Sequence, residues 1–200
     1  MYNIITIERP YASGGSEIGQ KLSEVLGYKL YDRNLLTEAA KNLDIPQIHI
    51  SNLDETSSGS FIFNLSRTAR RNADDSSSLP MAEKLFAEEK RIIEKAADEG
   101  ECIFVGRAAG YILRDRKDCL HAFVHADKNF RMQRAIERGG IDPADVENTI
   151  RKVDKRRKSF YDSITEWRWG DPKFFEICLD SSKLGIEMCT KLLAEAVLKG

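Results

Sequence analysis

The chain has 200 residues, of which 42% are hydrophobic and 32% are charged, and its formal net charge is −1. A chain of this length and composition can bury a hydrophobic core without help from a metal or a disulfide bond. The near-zero net charge excludes a general electrostatic attraction to nucleic acid or to membranes, so that any anion site must be local. Residues 1–200 are therefore expected to form a single domain.

The cysteines and the N-terminus indicate the cellular setting. Four cysteines are scattered along the chain and form no CxxC pair, which favours buried free thiols over a zinc site or a disulfide framework. They are Cys102, Cys119, Cys178 and Cys189. The first residues lack the zones of a signal peptide, and no apolar run approaches the length that spans a membrane. We expect a cytoplasmic protein that does not bind membranes.

Strand-like and helix-like segments alternate along the chain. The strand-like segments are short and apolar, and the helix-like segments carry apolar residues at helical spacing, with a glycine after several of them. In chain order they are a strand at 3–7, a helix that includes 18–26, a strand at 28–31, a helix through 35–39, a helix at 81–99, a strand at 102–105, a helix at 108–113, a strand at 120–124, helices at 127–138 and 142–161, a strand at 175–179 and a closing helix from 184. This alternation predicts an α/β fold with a parallel sheet that is covered by helices on both faces, and an internal position for the first strand.

Residues 44–80 differ in composition from the rest of the chain. The serine-rich tracts at 57–60 and 74–78 flank a short helical piece that carries three arginines. Tracts of this kind are typical of loops and linkers. We interpret the segment as an inserted, mobile part of the domain.

A glycine turn, Ala-Ser-Gly-Gly-Ser, lies between the first strand and the first helix. Successive backbone N–H groups at a helix N-terminus can bind phosphate with help from the helix dipole, and glycines allow the required curl. Ser13, Gly14, Gly15 and Ser16 are therefore predicted to form a phosphate-binding loop, to which Arg9 adds a cation. A simple strand-to-helix connection remains the alternative, because the sequence is not G-x-x-x-x-G-K-[ST].

Cationic side chains are concentrated on two consecutive predicted helices. Arg131, Arg134 and Arg138 fall on one face of the first helix, and residues 155–158 form a dense basic run on the second. Phosphoryl transfer needs cations that offset the charge on the moving group, and a helical pair that carries them could close over a bound nucleotide. The alternative is an ordinary solvated face of each helix.

Charged residues also follow two predicted strands. Asp32 and Arg33 follow the second strand, and Arg107 follows the strand at 102–105. A carboxylate and a guanidinium at these ends could contact a ribose hydroxyl, a base edge or an acceptor phosphate. Helix capping and ion pairing within the protein are the alternatives.

Two further groups are assigned no role in chemistry. The aromatic residues could stack on a base, but we predict that they pack against the core. They are Phe160, Tyr161, Trp167 and Trp169. The three histidines show neither metal-ligand spacing nor a paired nucleophile, and no residue is assigned as a metal ligand.

The ordered set of motifs resembles the cytidylate-kinase-like family, a branch of the P-loop nucleoside monophosphate kinases. The motifs are ITIERPYASGGSEIGQKL, KLYDRNLL, CIFVGRAAGYIL, HAFVHADKNFRMQRAIER, KVDKRRKSFY and WGDPKFFEICLDSSKLG. The resemblance covers almost the whole chain and is weakest at about 45–80. It implies a three-layer α/β/α P-loop fold with a five-stranded parallel sheet, an acceptor-nucleotide insert at about 44–80 and a helical lid at about 127–172.

The resemblance also implies a reaction, the transfer of the γ-phosphoryl group of ATP to CMP, dCMP or a similar monophosphate, with Mg²⁺ bridging the phosphates. Combined with the motifs above, it assigns three groups of residues. Those expected to bind ATP are Arg9, Ser13, Gly14, Gly15 and Ser16. Those expected to bind the acceptor are Asp32, Arg33, Arg107 and Arg134. Those expected to act in catalysis from the lid are Arg131, Arg156 and Arg157.

Two departures from the family pattern motivate a second hypothesis. Gly15 stands where the phosphate-binding lysine is expected, and Glu17 stands near the place of the hydroxyl residue that holds magnesium. The chain could therefore be a nucleotide-binding sensor with little transfer activity, in which a Gly15→Lys substitution should raise turnover if the missing charge is the only defect. A nucleic-acid contact through residues 151–158 is disfavoured by the near-zero net charge. The sequence leaves the oligomeric state open, with a homo-oligomer possible but not predicted.

Overall fold

The computed structural model describes residues 2–46 and 81–200, and the insert predicted at 44–80 therefore falls mostly outside the described residues. The strands are β1 (Ile4–Glu8), β2 (Lys29–Tyr31), β3 (Cys102–Val105), β4 (Cys119–His125) and β5 (Ile177–Asp180). The helices are α1 (Gly15–Leu26), α2 (Asn34–Asn42), α3 (Met81–Glu99), α4 (Ala109–Ile112), α5 (Lys128–Glu137), α6 (Val146–Ile164), α7 (Ser181–Leu184) and α8 (Ile186–Lys199), with a 3-10 turn at Pro172–Phe174.

The five strands form one parallel sheet in the order β2-β3-β1-β4-β5. β1 is the central strand, and all five of its residues are buried. Its residue Ile4 pairs with Cys102 of β3 on one side and with Cys119 of β4 on the other. The predicted internal position of the first strand is confirmed, and its β-branched residues suit a strand that is covered on both faces.

Alternate residues of the central strands enter two separate cores. Ile4 and Phe104 face the core formed with α2, α3 and α4. Ile5 and Ile103 face the core formed with α1 and α8. Because side chains alternate across a strand, the sheet separates two helical layers, and the predicted three-layer α/β/α fold is confirmed.

Several element boundaries and one burial prediction are wrong. α6 begins at Val146 rather than at 142, because the Asp142 carboxylate accepts a hydrogen bond of 2.8 Å from Ala144 N and shapes a turn before the helix. β5 begins at Ile177 rather than at 175, and the closing helix α8 begins at Ile186 rather than at 184, because Gly185 separates it from the short helix α7. Cys178 is exposed because β5 is an edge strand of the sheet, whereas the other three cysteines are buried, and burial raises the pKa of the Cys102 thiol to about 12.

α5 and α6, here called the lid helices, share a small core of their own. Ala135 of α5 packs with Val146 and Ile150 of α6, and Tyr11 from the turn after β1 packs against this group. The lid helices are therefore joined to the glycine turn by apolar contact. None of the helices in the described ranges has the length and hydropathy of a membrane span.

The predicted N-cap of α5 provides a test of how this helix is stabilised. The Asp127 carboxylate accepts a hydrogen bond of 2.8 Å from Phe130 N, as its place before the helix predicted. We expect Asp127→Ala to lower the free energy of unfolding by about 1 kcal/mol, because a first-turn N–H loses its acceptor. Asp127→Asn is the matched control and keeps most of the stability, since asparagine is an equally good cap. Equal urea-unfolding midpoints for the two variants would contradict this account.

Candidate nucleotide-binding site

A cavity of about 390 Å³ opens at the glycine turn, at the carboxyl ends of β1 and β2. Its lining combines four arginines with two carboxylates, so that its charge favours an anionic ligand. The lining residues are Arg9, Pro10, Tyr11, Ala12, Gly14, Gly15, Ser16, Glu17, Asp32, Arg33, Arg134 and Arg157. The fold thus brings together most of the residues that the sequence singled out for ATP and acceptor binding.

The backbone of the turn has the shape that an anion site needs. Gly14 adopts φ 87°, in the left-handed region that favours glycine, and α1 begins at the next residue. The N–H groups of a first helical turn have no partners within the helix, and the helix dipole places positive potential at the same end. Gly15 and Ser16 at the start of α1 line the cavity, so this end of the helix adjoins the space available to a ligand.

Ser13 fixes the turn to the sheet rather than lining the cavity. Its side chain is fully buried, and its hydroxyl donates to the Val124 carbonyl at the end of β4, 2.9 Å away. The Ser181 hydroxyl lies 2.6 Å from the Ser13 carbonyl oxygen and 3.0 Å from the His125 carbonyl oxygen. The turn is thereby held against the ends of β4 and β5. The Ser13 hydroxyl stabilises the turn in this way and does not serve as a donor to a ligand in the cavity.

Arg9 and Gly15 are in close contact. A Cβ atom added at Gly15 would lie only 2.7 Å from Arg9 Cβ, because the Arg9 stem crosses the helix start there. The Arg9 side chain is 3% exposed, and its Nη2 lies 3.7 Å from Asp32 Oδ1. The missing charge is therefore not the only obstacle to a lysine at position 15, because any side chain there requires Arg9 to move.

Glu17 forms ion pairs with the lid instead of standing free beside the turn. Its carboxylate lies 2.5 Å from Arg134 Nη2 on α5 and 3.0 Å from Nη1 of Arg138, the residue that follows α5. These pairs tie the first helix to the lid. They also neutralise positive charge at the mouth of the cavity, which a phosphate ligand would otherwise meet.

Arg131 is directed toward the backbone of the turn. Its Nε donates to the Tyr11 carbonyl at 2.7 Å, and its guanidinium forms an ion pair with Asp154 of α6. The Asp154 carboxylate also accepts from Tyr11 N at 2.7 Å. Arg131, predicted as catalytic, therefore holds Tyr11 together with Asp154. Asp154 was not predictable from the sequence, because carboxylates are common on exposed helix faces.

Arg157 reaches the cavity from α6. It is largely buried, and its Nη1 donates to the Arg9 carbonyl at 3.1 Å. Its guanidinium carbon lies 5.9 Å from the centroid of the Tyr11 ring. Arg156, the preceding residue, is half-buried and does not contribute to the lining formed by the described residues.

Arg107 occupies a buried ion pair away from this lining. It pairs with Glu89 of α3, whose side chain is fully buried, and its guanidinium lies 4.6 Å from the centroid of the Phe160 ring. Glu89 was missed, although the helical period of α3 contains the signal. It lies four residues after Leu85 and three before Ile92, and both of these apolar residues are buried.

The aromatic residues pack as predicted. Phe160 and Tyr161 are buried in a cluster to which Trp167 and Trp169 add their rings. Trp167 stacks on Phe174 with ring centroids 4.6 Å apart. Burial raises the pKa of the Tyr161 hydroxyl, and the nearby Glu8 carboxylate raises it further, so this group stays protonated near neutral pH.

The contacts of Asp154 predict a large effect from a single substitution. Asp154→Ala leaves the Tyr11 N–H and the partly buried Arg131 guanidinium without their acceptor, and we expect a loss of about 2 kcal/mol in the free energy of unfolding. Asp162→Ala, also on α6, removes the ion pair with Lys158, whose side chain is half exposed. This control should cost about 0.5 kcal/mol or less. If urea denaturation gave equal losses for the two variants, the role assigned to Asp154 would be wrong.

Solved structures with the same fold align with almost the full length of the chain. An uncharacterized protein from Eubacterium ventriosum ATCC 27560 is 26% identical, with 98% of this chain and 99% of that chain covered and a TM-score of 0.74. Protein TT1252 from Thermus thermophilus is 16% identical, with 100% and 99% covered and a TM-score of 0.56. A shikimate kinase from Acinetobacter baumannii in complex with shikimate is 10% identical, with 99% and 94% covered and a TM-score of 0.52.

At the identities of the last two structures the likeness concerns the fold alone, which is that of the P-loop kinases. A search of curated proteins gave no match. A family model described as "Cytidylate kinase-like family" matches residues 4–183, which include the glycine turn, the end of β2 and both lid helices. The chain belongs to the cytidylate kinase-like family.

Proposed function

We propose that the chain is an ATP-dependent kinase that phosphorylates a nucleoside monophosphate of the CMP or dCMP type. The observation that carries the proposal is the cavity at the glycine turn, where a helix N-terminus and four arginines surround a space of about 390 Å³. Membership of the cytidylate kinase-like family supports kinase activity on a nucleotide or another small molecule. The choice of a cytidine nucleotide is part of the proposal.

The phosphates of ATP bind at the turn in this proposal. The backbone N–H groups at the start of α1 face the anion, as in other phosphate sites at helix N-termini. Arg134 and Arg157 reach the same cavity from the lid helices and supply positive charge to the transferred group. Arg131 acts through Tyr11 as a positioning residue rather than by touching the phosphates.

The acceptor binds at the carboxyl end of β2. Asp32 is partly exposed there and can accept a hydrogen bond from a ribose hydroxyl or a base amino group, and Arg33 is exposed and can bind the acceptor phosphate. Transfer then requires one acceptor phosphate oxygen to attack Pγ in line as the bond from Pγ to the ADP oxygen breaks. Contact between Arg107 and the acceptor would require that its pair with Glu89 rearrange.

Magnesium fits the oxygen donors at the turn. No group of three or more histidine, cysteine, aspartate or glutamate side chains among residues 2–46 and 81–200 is arranged to hold a metal ion. Mg²⁺ in phosphoryl-transfer sites needs only one or two protein oxygens in addition to substrate phosphates and water. Ser16 and Glu17 line the cavity and would hold the ion, Glu17 after release from its pairs with Arg134 and Arg138, and the ion would supply positive charge to the bound phosphates.

A sensor that binds nucleotide without transfer is the second candidate. It is favoured by Gly15 at the lysine position and by the pairing of Glu17 with two lid arginines, which lowers the charge available to a moving phosphoryl group. Its residues would bind and hold the nucleotide in the same cavity.

Calorimetry and a coupled turnover assay separate the two candidates. We expect ATP to bind and ADP to form with CMP or dCMP, more rapidly than with UMP or AMP. Arg134→Gln removes a lid cation and should lower kcat by tenfold or more. Lys117→Ala removes an exposed cation near the amino end of β4 and should change neither kcat nor the Kd for ATP. Binding without turnover for any acceptor would establish the sensor, and no binding of ATP would overturn both.

The pairs of Glu17 predict an increase in affinity on substitution. Glu17→Gln removes a carboxylate that repels phosphate and releases Arg134 and Arg138 to meet it. We expect ATP to bind about three- to tenfold more tightly in the absence of magnesium. Glu24→Gln, at the exposed end of the same helix, is the matched control and should leave the Kd unchanged. Weaker magnesium-free binding by Glu17→Gln, measured by calorimetry, would contradict this prediction.

A further inference from the structure

The glycine turn differs from the usual phosphate loop at two positions that compensate each other in size and charge. The usual pattern is G-x-x-x-x-G-K-[ST], in which the lysine reaches the β and γ phosphates. Aligned on Gly14, this chain reads R-x-x-x-x-G-G-S from Arg9 to Ser16. A cation stands where glycine is expected, and glycine stands where the cation is expected.

The structure explains why the two differences occur together. A Cβ atom at Gly15 would lie 2.7 Å from Arg9 Cβ and 3.0 Å from Arg9 Cγ. Real Cβ atoms essentially never approach other atoms at 2.7 Å, so the side chains at positions 9 and 15 compete for the same space. An arginine at position 9 therefore requires glycine at position 15.

The Arg9 guanidinium lies between the turn and the acceptor end of the cavity. Its stem covers the start of α1, and its Nη2 lies 3.7 Å from the Asp32 carboxylate that follows β2. Its backbone is held in place by Arg157, which donates to the Arg9 carbonyl. The side chain is buried, yet Arg9 lines the cavity, so its charge is held close to the ligand space and largely away from solvent.

We propose that Arg9 supplies the cation for the terminal phosphates of ATP, in place of the lysine that the turn lacks. The inference rests on the proposed binding of ATP in this cavity. An arginine suits the task because it stays charged at all relevant pH values and can donate two parallel hydrogen bonds to phosphate oxygens. The exchange also places the Arg9 guanidinium beside Asp32. Arg9 would therefore contact the phosphates of ATP and, at the same time, the carboxylate that binds the acceptor.

The first test compares two substitutions that keep the stem of Arg9. Arg9→Met fills the space over Gly15 but removes the charge, and Arg9→Lys keeps a charge on a stem of similar length. We expect the Kd for ATP, measured by calorimetry with and without magnesium, to rise at least tenfold in Arg9→Met and no more than about threefold in Arg9→Lys. Lys117→Ala is the control for loss of one positive charge away from the cavity.

The second test rebuilds the usual loop. Gly15→Lys alone should weaken ATP binding and lower the unfolding temperature, because its side chain collides with Arg9. The double variant Arg9→Gly with Gly15→Lys should regain both, to within about threefold of the wild-type Kd. Arg9→Gly alone should also bind ATP weakly, because it removes the cation. An affinity near that of the wild type in the double variant but in neither Gly15→Lys nor Arg9→Gly alone is expected only if the two positions exchange one cation.

The outcomes distinguish this inference from the proposed function. If the wild-type chain does not bind ATP, the proposed function fails. If the wild-type chain binds ATP and Arg9→Met binds it equally well, the proposed function stands and the role of Arg9 is overturned. If Arg9→Met does not fold, the double variant decides, since its failure to bind ATP while folded would overturn the exchange.

Discussion

The rest of the structure depends on one constraint: the backbone between β1 and α1 is held in place from two sides. Ser13 and Ser181 bind it to the ends of β4 and β5, while Asp154 and Arg131 hold both polar groups of Tyr11 from the lid. Buried backbone N–H and C=O groups need hydrogen-bond partners, so each of these contacts both pairs a backbone polar group and fixes the shape of the turn. The short segment between strand and helix is thereby rigid enough to present consecutive N–H groups in one direction.

Charge in this region is balanced within the protein. Arg9 is paired with Asp32, and Arg134 with Glu17, so that cations needed near a phosphate are held by carboxylates at the same cavity. An unpaired buried charge would be expensive, whereas a paired one can exchange its partner when an anion enters. The same pairing explains why the whole chain can be nearly neutral and still contain a local anion site.

The strands and helices were predictable from the sequence because each buries a continuous face, whose period is visible in the residues. Beyond the internal position of β1, the strand order was not predictable from the sequence, since no local pattern indicates that β3 lies between β1 and β2. At the cavity, the turn and the end of β2 were identified from their place after strands. The partners of the arginines were not, because Glu89 and Asp154 are recognised only once distant helices meet.

The ion pairs of Glu17 affect how a ligand would bind. Its carboxylate already forms ion pairs with Arg134 and Arg138, as the phosphate of a ligand could. The lid helix α5 is therefore held against α1 before any ligand binds. Entry of a ligand would then replace one anion by another instead of ordering a loose segment, and less conformational entropy would be lost on binding. A ligand phosphate would thus compete with the Glu17 carboxylate for Arg134 and Arg138, and its negative charge would favour it in that competition.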